Sequence, residues 1–362
     1  MTEQKTQGRT IGQLIWRRFL KNKLGVIGGV VIALFFLVTV VAPFLATMDI
    51  VEQSAQHILA PPQKIHFQDE DGKWTRPFVY NLTKHRDRDT LRLSYTEDRS
   101  QKFYVRMFVK EFEYRILWVL PGRIHLFGVD EGCRWNLLGT DPFGRDLYSR
   151  ILMGSQVSLS VPLVGVSLSI FFGTVIGVIS GYFGGRVDYY IQRCLEIMMS
   201  FPSLPLWLAL AAAVPITLPS AYRYLLIVMI LSLIDWAGLA RVVRGKVLQY
   251  RDEDFVLAAQ MSGCGLGRII LKHLVPGTLS HLIVCATLAI PGMILGESAL
   301  SFLGIGITPP LTSWGLLLKD AHKLEVLVHH QWITIPGFLI IVVVLCFNFL
   351  GDGLRNAADP YS

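Results

Sequence analysis

Long apolar runs alternate with short polar stretches along most of this chain. The runs lie at about 24–46, 158–182, 197–216, 224–240, 279–295 and 332–350. A helix needs about 20 mainly apolar residues to cross the ~30 Å hydrocarbon core of a bilayer. The pattern therefore predicts an all-α polytopic membrane protein with about six transmembrane helices.

One polar segment is much longer than the others and separates the first two runs. Residues 47–136 carry charges of both signs, and the stretches 90–95 and 102–116 alternate apolar and polar side chains. Such alternation is typical of strands with one buried face. We expect a β-rich insert here, exported to the periplasm. Its basic residues do not argue against export, because long translocated segments are largely exempt from the positive-inside rule.

The N-terminal residues 1–23 are polar and basic, and the piece at 11–19 is amphipathic. An amphipathic helix of this kind can lie along the membrane surface. The run at 24–46 is longer than the ~7–15-residue apolar core of a signal peptide, so we interpret it as a retained anchor. The basic flank predicts a cytoplasmic N-terminus. With about six spans, the C-terminus is then cytoplasmic as well.

The composition supports a membrane protein. Only 17% of the residues are charged, against about 25% in a typical soluble domain, and the mean hydropathy is +0.46. Much of the formal net charge of +7 flanks the apolar runs, so it does not indicate nucleic-acid binding. The five cysteines include no CxxC pair, which argues against a zinc knuckle.

The sequence contains no nucleotide-binding or hydrolytic motif. It lacks G-x-x-x-x-G-K-[ST], so ATP must be bound by another chain if it is used. His329 and His330 are adjacent, and adjacent side chains point in different directions, so we interpret them as a solvated pair rather than metal ligands. We expect no catalytic, cofactor-binding or metal site on this chain.

The polar segment 252–276 lies between two apolar runs and has the features of a folded loop. Asp254 can cap a helix that begins at Phe255. Gly263 is placed to end that helix in a left-handed conformation, and a second amphipathic piece follows at 268–274. Two short helices between spans predict a surface that docks against another protein.

Five residues of this segment form a recognisable pattern: Ala258, Ala259, Gly263, His273 and Pro276. The pattern resembles the coupling loop of binding-protein-dependent ABC importer permeases, in the dipeptide/oligopeptide (peptide/nickel) family. The segment departs from that family at Leu257, where Glu is usual. The resemblance implies a cytoplasmic loop whose helix inserts into a groove on an ATPase subunit.

A second stretch carries the same resemblance. Residues 137–161, with Gly139-Thr140-Asp141 and Gly144-Arg145-Asp146, are similar to the signature that precedes the second span of those permeases, and the tail at 351–360 is similar to their C-terminal end. From the charges themselves we expect ion pairs that fix the start of the span. The residues concerned are Asp141, Arg145, Asp146 and Arg150.

Two acidic residues, Asp235 and Glu297, lie in or near apolar runs. An ionisable group within the membrane is a functional candidate by default. Asp235 is placed near the cytoplasmic end of its run and can reach the interface. Glu297 resembles a family position and could meet a peptide ammonium or hold the loop at 298–306. We expect a structural role for both, and retain them as candidate path or gating residues.

The resemblance implies a permease domain at 137–362 and a role in ATP-driven import across a bacterial inner membrane, with peptides as the expected cargo. It implies two ATP-binding subunits that hold ATP and Mg, a second homologous permease and a periplasmic solute-binding protein. The residues leave nickel or another small solute open as cargo. A hypothesis from another class is a membrane-anchored sensor or enzyme that works through residues 47–136, although that insert shows no catalytic grouping.

Overall fold

The computed structural model describes residues 11–69, 72–86, 93–116, 119–215 and 217–358. The first ten residues of the predicted N-terminal segment and the last two of the predicted C-terminal tail, 359 and 360, lie outside these ranges. The helices in the described part are α1 (Ile11–Lys21), α2 (Lys23–Leu45), α3 (Leu147–Phe183), α4 (Gly185–Ser200), α5 (Ser203–Ala212), α6 (Ser220–Arg251), α7 (Asp254–Met261), α8 (Leu266–Ile269), α9 (Val275–Phe302), α10 (Trp314–Lys319), α11 (Leu324–His329) and α12 (Ile335–Ala358). The strands are β1 (His66–Gln68), β2 (Trp74–Arg86), β3 (Leu93–Ile116) and β4 (Leu120–Val129).

Five helical stretches in the described residues are long and apolar enough to cross a membrane. They are Lys23–Leu45, Leu147–Phe183, Ser220–Arg251, Leu266–Phe302 and Gln331–Ala358. A sixth crossing is possible only if α4 and α5, which are bent by 82°, form one broken span. The predicted fold class is therefore confirmed at the level of a mostly helical protein with five to six spans.

The predicted third span at 197–216 has a different form in the structure. Phe201 and Pro202 are extended, and only the ten residues of α5 follow as a helix. A residue before proline is driven away from the helical conformation, so the chain breaks there. At about 1.5 Å per residue, α5 is roughly 15 Å long and too short to cross a bilayer alone.

Three glycines one turn apart bring α3 into close contact with α6. A Cβ atom on Gly173 would lie 2.9 Å from Leu239 Cβ, and one on Gly177 would lie 2.5 Å from the carbonyl oxygen of Ala240. A Cβ on Gly181 would lie 2.9 Å from the carbonyl oxygen of Arg244. Small residues let helix backbones approach in a membrane, where lipid removes the hydrophobic driving force. The GxxxG pair in the sequence thus marks a real helix–helix contact.

The first span packs against the last in the same way. A Cβ on Gly25 in α2 would lie 3.0 Å from Gly353 Cα in α12 and 3.1 Å from the ring of Phe19. Phe19 belongs to α1, which is amphipathic as predicted, and its ring is buried at this contact. The N-terminal helix is therefore attached to the first and last spans.

The insert contains one four-stranded antiparallel sheet in the order β1-β2-β3-β4. Of the two predicted strands, residues 93–95 and 102–116 are parts of the single long strand β3, whereas 90–92 lie outside the described residues. The first half of β3 pairs with β2 and the second half with β4. Val79, Phe103 and Trp135 form the buried core of this sheet. The β-rich character of the insert is confirmed for the residues described.

Buried polar contacts attach the insert to the spans. A ring nitrogen of His125 (Nδ1) lies 2.7 Å from the carbonyl oxygen of Ala46, at the end of α2, and Nε2 lies 3.1 Å from the carbonyl oxygen of Phe112. The amide of Ala60 donates to Thr140 Oγ1 at 2.8 Å. The insert therefore lies at the ends of α2 and α3, on the side of the spans opposite to segment 252–276.

We expect Gly177→Ala to destabilise the chain, because its methyl group would collide with the backbone of α6. Overpacking of this kind costs about 1–3 kcal/mol. Gly245→Ala is the matched control, since Gly245 is helical, exposed and has no atom within 4 Å of its Cβ position; there Ala should be neutral or stabilise by about 0.5–1 kcal/mol. Thermal unfolding in detergent measures both, and equal unfolding temperatures for the two variants would contradict the packing argument.

Candidate functional site

The segment between α6 and α9, residues 252–276, starts with the short helix α7. The predicted N-cap is shifted by one residue: Glu253 has the extended cap conformation, with φ −76° and ψ 146°, and Asp254 is the first helical residue. The carbonyl oxygen of Glu253 accepts from the amides of Val256 and Leu257. Leu257 therefore lies one position beyond the place where Glu would complete a capping box.

Gly263 ends α7 in the predicted left-handed conformation, with φ +74°. Its amide donates to the carbonyl oxygen of Gln260 at 2.9 Å, and the amide of Cys264 donates to that of Ala259 at 3.1 Å. This pair of bonds defines the Schellman motif, which places glycine at the left-handed position. The motif satisfies two carbonyl groups at the helix end and turns the chain sharply back toward α8.

Three buried side chains fix this segment to the spans. Val256 is fully buried, and Ile269 and Leu274 are 2% and 0% exposed. They share an apolar core with Val178 of α3 and with Val243 and Val247 of α6. The segment is therefore packed as a rigid extension of α6 and α9 and not as a loose loop.

The opposite side of α7 and its turn is apolar and exposed. Met261 is 90% exposed, and Phe255 and Leu257 are also exposed. Large apolar side chains gathered on an exposed turn are typical of an interaction surface. We call this group, with the small residues Ala258 and Gly263 beside it, the docking face.

The second predicted helix of the segment is not separate. The chain continues from α8 through a π-helical stretch, Ile270–Leu274, directly into α9. Pro276 has no amide hydrogen and its ring crowds the carbonyl four residues earlier, so regular α-helix cannot continue through this point. A π turn accommodates the proline, and such turns are frequent at functional sites. The prediction that residues 268–274 form a second, separate short helix is therefore wrong.

The five residues of the sequence pattern occupy different environments in the structure. Ala258, Gly263 and Pro276 are exposed, whereas Ala259 and His273 are half-buried. The ring of His273 lies 6.2 Å from that of Phe255 and so links α7 to the π-helical stretch. Ala259 and His273 thus support the docking face from behind, and Ala258 and Gly263 belong to it.

The sequence did not reveal a half-buried ion pair close to this segment. Arg244 of α6 donates through Nε and Nη2 to the two carboxylate oxygens of Asp188 in α4, at 2.5 and 2.6 Å. Ser180 of α3 donates to the same carboxylate at 2.5 Å. Three helices therefore meet at one carboxylate. The position of Asp188 just after the Gly184-Gly185 turn could have drawn attention to this carboxylate. Its partner Arg244 is 56 residues away, so no local pattern indicates the ion pair.

Asp235 lies in the wall of a cavity of about 550 Å³ between α3, α5, α6 and α9. It is the sixteenth of the 32 residues of α6 and so lies at the middle of that helix. Its position near the cytoplasmic end of the span stays a prediction. Its neighbours in the wall include Ser169, Ser203 and Cys285, and no other carboxylate. Within the described chain its side chain has no hydrogen bond or ion pair, so its charge is available to a group that enters the cavity.

Glu297 is fully buried near the far end of α9. Ser301 Oγ donates to it at 2.7 Å and Ser158 Oγ at 3.4 Å. The same two hydroxyls accept from the amides of Ile307 and Trp314, at 3.0 and 2.9 Å. The carboxylate therefore anchors the loop between α9 and α10 to α3, and this conformation leaves it no access to a substrate.

The charged residues at the start of α3 form the expected ion pairs, with one exception. Asp141 binds the guanidinium groups of both Arg145 and Arg150, and Arg150 also lies 3.9 Å from Asp320, near α10. Asp146 instead caps α3, accepting from the amide of Ser149 at 2.7 Å. Burial, and next the charge of Asp141, raises the pKa of Asp320. The cluster joins the start of α3 to the loop that Glu297 also holds.

No group of three His, Cys, Asp or Glu side chains that could hold a metal ion occurs in the part of the chain that the structure describes. His329 is exposed, and the ring of His330 lies edge-on to Trp332 at 5.1 Å.

Known protein families match both parts of this architecture. The family described as binding-protein-dependent transport system inner membrane component matches residues 173–361, which is more than half of the chain and includes the docking face. The chain belongs to this family. The N-terminal TM domain of oligopeptide transport permease C matches residues 10–62, which cover α1, α2 and the start of the insert. The permease family is a family of transport subunits, which are not themselves enzymes.

Individual relatives of the permease extend the match to the insert. The oligopeptide transport system permease protein OppC of Haemophilus influenzae is 43% identical over 228 residues, which cover 62% of this chain and 70% of the relative. The dipeptide transport system permease protein DppC of Bacillus subtilis is 30% identical over 346 residues, or 95% of this chain and 84% of the relative. The alignment with DppC covers 95% of this chain, so it must include most of the insert at 47–136.

We expect Glu297→Ala to loosen the loop between α9 and α10, because two buried serine hydroxyls would lose their acceptor. An unsatisfied buried group costs about 1–3 kcal/mol. Thermal unfolding of the purified chain and protease cleavage within residues 303–313 measure the effect, and Glu297→Gln, which keeps one acceptor oxygen, is the matched control. Lost uptake with unchanged stability and unchanged cleavage would instead indicate a substrate contact.

Proposed function

We propose that this permease is one membrane subunit of an ATP-driven importer of dipeptides or oligopeptides in a bacterial inner membrane. The carriers of peptides named among its relatives support this cargo. The partners are two ATP-binding subunits, which hold ATP and Mg, a second homologous permease subunit and a periplasmic solute-binding protein. This chain makes and breaks no covalent bond.

The observation that carries the proposal is the docking face. An exposed apolar turn on a helix end, rigidly backed by Val256, Ile269 and Leu274, is suited to transmit force to and from a groove on another protein. Ala258 and Gly263 present almost no side chain, so a partner backbone can approach closely. We assign this face to the ATP-binding subunit.

The orientation follows from charge. Basic residues concentrate around the docking face, and cytoplasmic segments carry the excess of Lys and Arg. They are Arg241, Arg244, Lys246, Arg251, Arg268 and Lys272. The docking face and both termini are then cytoplasmic, and the insert is periplasmic, where it can meet the binding protein.

The mechanism couples movement at the docking face to the cavity around Asp235. Closure of the ATP-binding subunits displaces α7, and Val256 passes the displacement to α6 and α9. Because α3 and α4 are tied to α6 by the glycine contacts and by Asp188, the four helices move together. Of these helices, α3, α6 and α9 line the cavity together with α5, so the cavity changes its opening while Asp235 stays in its wall.

Gly263→Val should leave membrane insertion near normal and reduce peptide uptake at least tenfold. A β-branched side chain at φ +74° costs of order 1–2 kcal/mol, and it also stands on the docking face. Reconstituted complexes measure uptake together with substrate-stimulated ATP hydrolysis, and Gly245→Val controls for the added side chain at an exposed helical glycine. Normal uptake and normally stimulated hydrolysis in Gly263→Val would exclude the docking assignment.

Thiol labelling tests the orientation. Cys133 is a poor probe, because it is half-buried and burial raises the pKa of its thiol to about 11. Exposed positions serve better: Arg99→Cys in β3 and Met261→Cys on the docking face, each in a cysteine-free background. In intact spheroplasts a membrane-impermeant maleimide should label Arg99→Cys and not Met261→Cys. The reverse pattern would invert the topology.

A further inference from the structure

The fourth residue of α6, Arg223, is a buried cation without a counter-charge. Its exposed fraction is 3%, and its Nε has no hydrogen-bond partner. Its Nη1 donates to Thr308 Oγ1 at 3.4 Å. No carboxylate lies within 4 Å of it in the described residues. A buried charge without a partner is costly, so this guanidinium is suited to an anion that comes from outside the chain.

Arg223 lies in the wall of a hollow of about 630 Å³ between the start of α6 and the loop after α9. The volume is within the usual range for small-ligand sites. The other walls are uncharged: Leu218, Pro219, Ser220, Ala221, Thr308, Pro309, Pro310 and Leu311. The described walls therefore offer positive charge and no negative charge.

The start of α6 adds a second, independent source of positive potential. The first amides of a helix lack internal acceptors, and the helix dipole favours an anion there. Ser220 and Ala221 are these first residues, and both line the hollow. The Ser220 hydroxyl is already used, because it donates to the carbonyl oxygen of Pro309 at 2.9 Å, which fixes the loop across the helix end.

The hollow opens on the side of the spans opposite to the docking face, because α6 runs from Ser220 to Arg251 and the docking segment follows directly. A substrate delivered from the periplasm would reach this side first. Every linear peptide carries one carboxylate at its C-terminus whatever its sequence. Arg–carboxylate bonds are short, strong and directional, so one arginine here can recognise all such cargo.

We infer that Arg223 and the first turn of α6 bind the C-terminal carboxylate of the peptide at the external mouth of the translocation path. This inference rests on the proposed function. A concave hollow with a deeply buried guanidinium favours a small chain end over a broad protein surface. A carboxylate of the second permease or of the binding protein is the competing occupant.

The test compares uptake of one peptide as its free acid and as its C-terminal amide, by the complete reconstituted transporter with its binding protein. The variants are Arg223→Gln, Arg223→Lys and the exposed control Arg193→Gln. Because the binding protein is identical throughout, its own preference cancels when the acid-to-amide ratio is compared between variants. We expect Arg223→Gln to lower this ratio roughly tenfold or more by slowing uptake of the acid alone, as loss of a hydrogen bond to a charged group does. Arg223→Lys should keep part of the preference.

Three results would overturn the inference. An unchanged ratio with normal uptake would remove any role for Arg223. An equal loss for acid and amide with intact subunit assembly would assign it a structural role, and an equal loss with subunits missing from the purified complex would assign it to a partner's carboxylate. Failure of the wild-type transporter to import either form would instead contradict the proposed function itself.

Discussion

The close approach of α3 and α6 is the contact on which the rest of the molecule depends. In lipid no hydrophobic force draws helices together, so packing distance and a few polar bonds must hold them. The glycines at 173, 177 and 181 bring the α3 backbone against carbonyl oxygens of α6. At the end of this contact that is nearest to segment 252–276, Arg244 and Ser180 bind Asp188. Helix α7 begins just after α6 ends. The contact between α3 and α6 therefore sets the positions of both the docking face and the cavity wall.

The buried and half-buried charges named above divide into two kinds. Asp141, Asp188 and Glu297 are each bound by arginine or serine side chains, and each of them joins segments that are distant in the chain. Asp235 and Arg223 differ, because both lack an oppositely charged partner in the described residues and both line hollows. They lie on the same helix, α6, with the cation at its start and the anion at its middle. The partnered charges stabilise the fold, and the two unpartnered ones are the groups left for a ligand.

Local sequence features predicted what depends on local physics. Gly263 could be placed in a left-handed turn because a helix pattern ended there, and the alternation in the insert indicated strands because side chains on a strand point to opposite faces. The N-cap moved by one residue because neighbouring acidic residues, Glu253 and Asp254, can each begin a helix. Asp235 was assigned to the end of a run because the apolar run ends at 240, whereas the helix continues to Arg251 and has Asp235 at its middle. The Asp188–Arg244 pair and the Arg223 hollow depend on tertiary contacts, which no pattern along the chain reveals.

The continuity of the helix from Leu266 to Phe302 turns the docking segment into the short arm of a lever. At ~1.5 Å per residue its 37 residues span roughly 55 Å. A tilt of roughly 10° about the π turn would therefore carry the far end of the 28-residue α9 by roughly 7 Å, given the same rise per residue. The π turn before Pro276 lies at the natural fulcrum, and the loop fixed by Glu297 lies at the tip. A small motion at the docking face is thus amplified at the opposite surface without any residue along the helix changing its conformation.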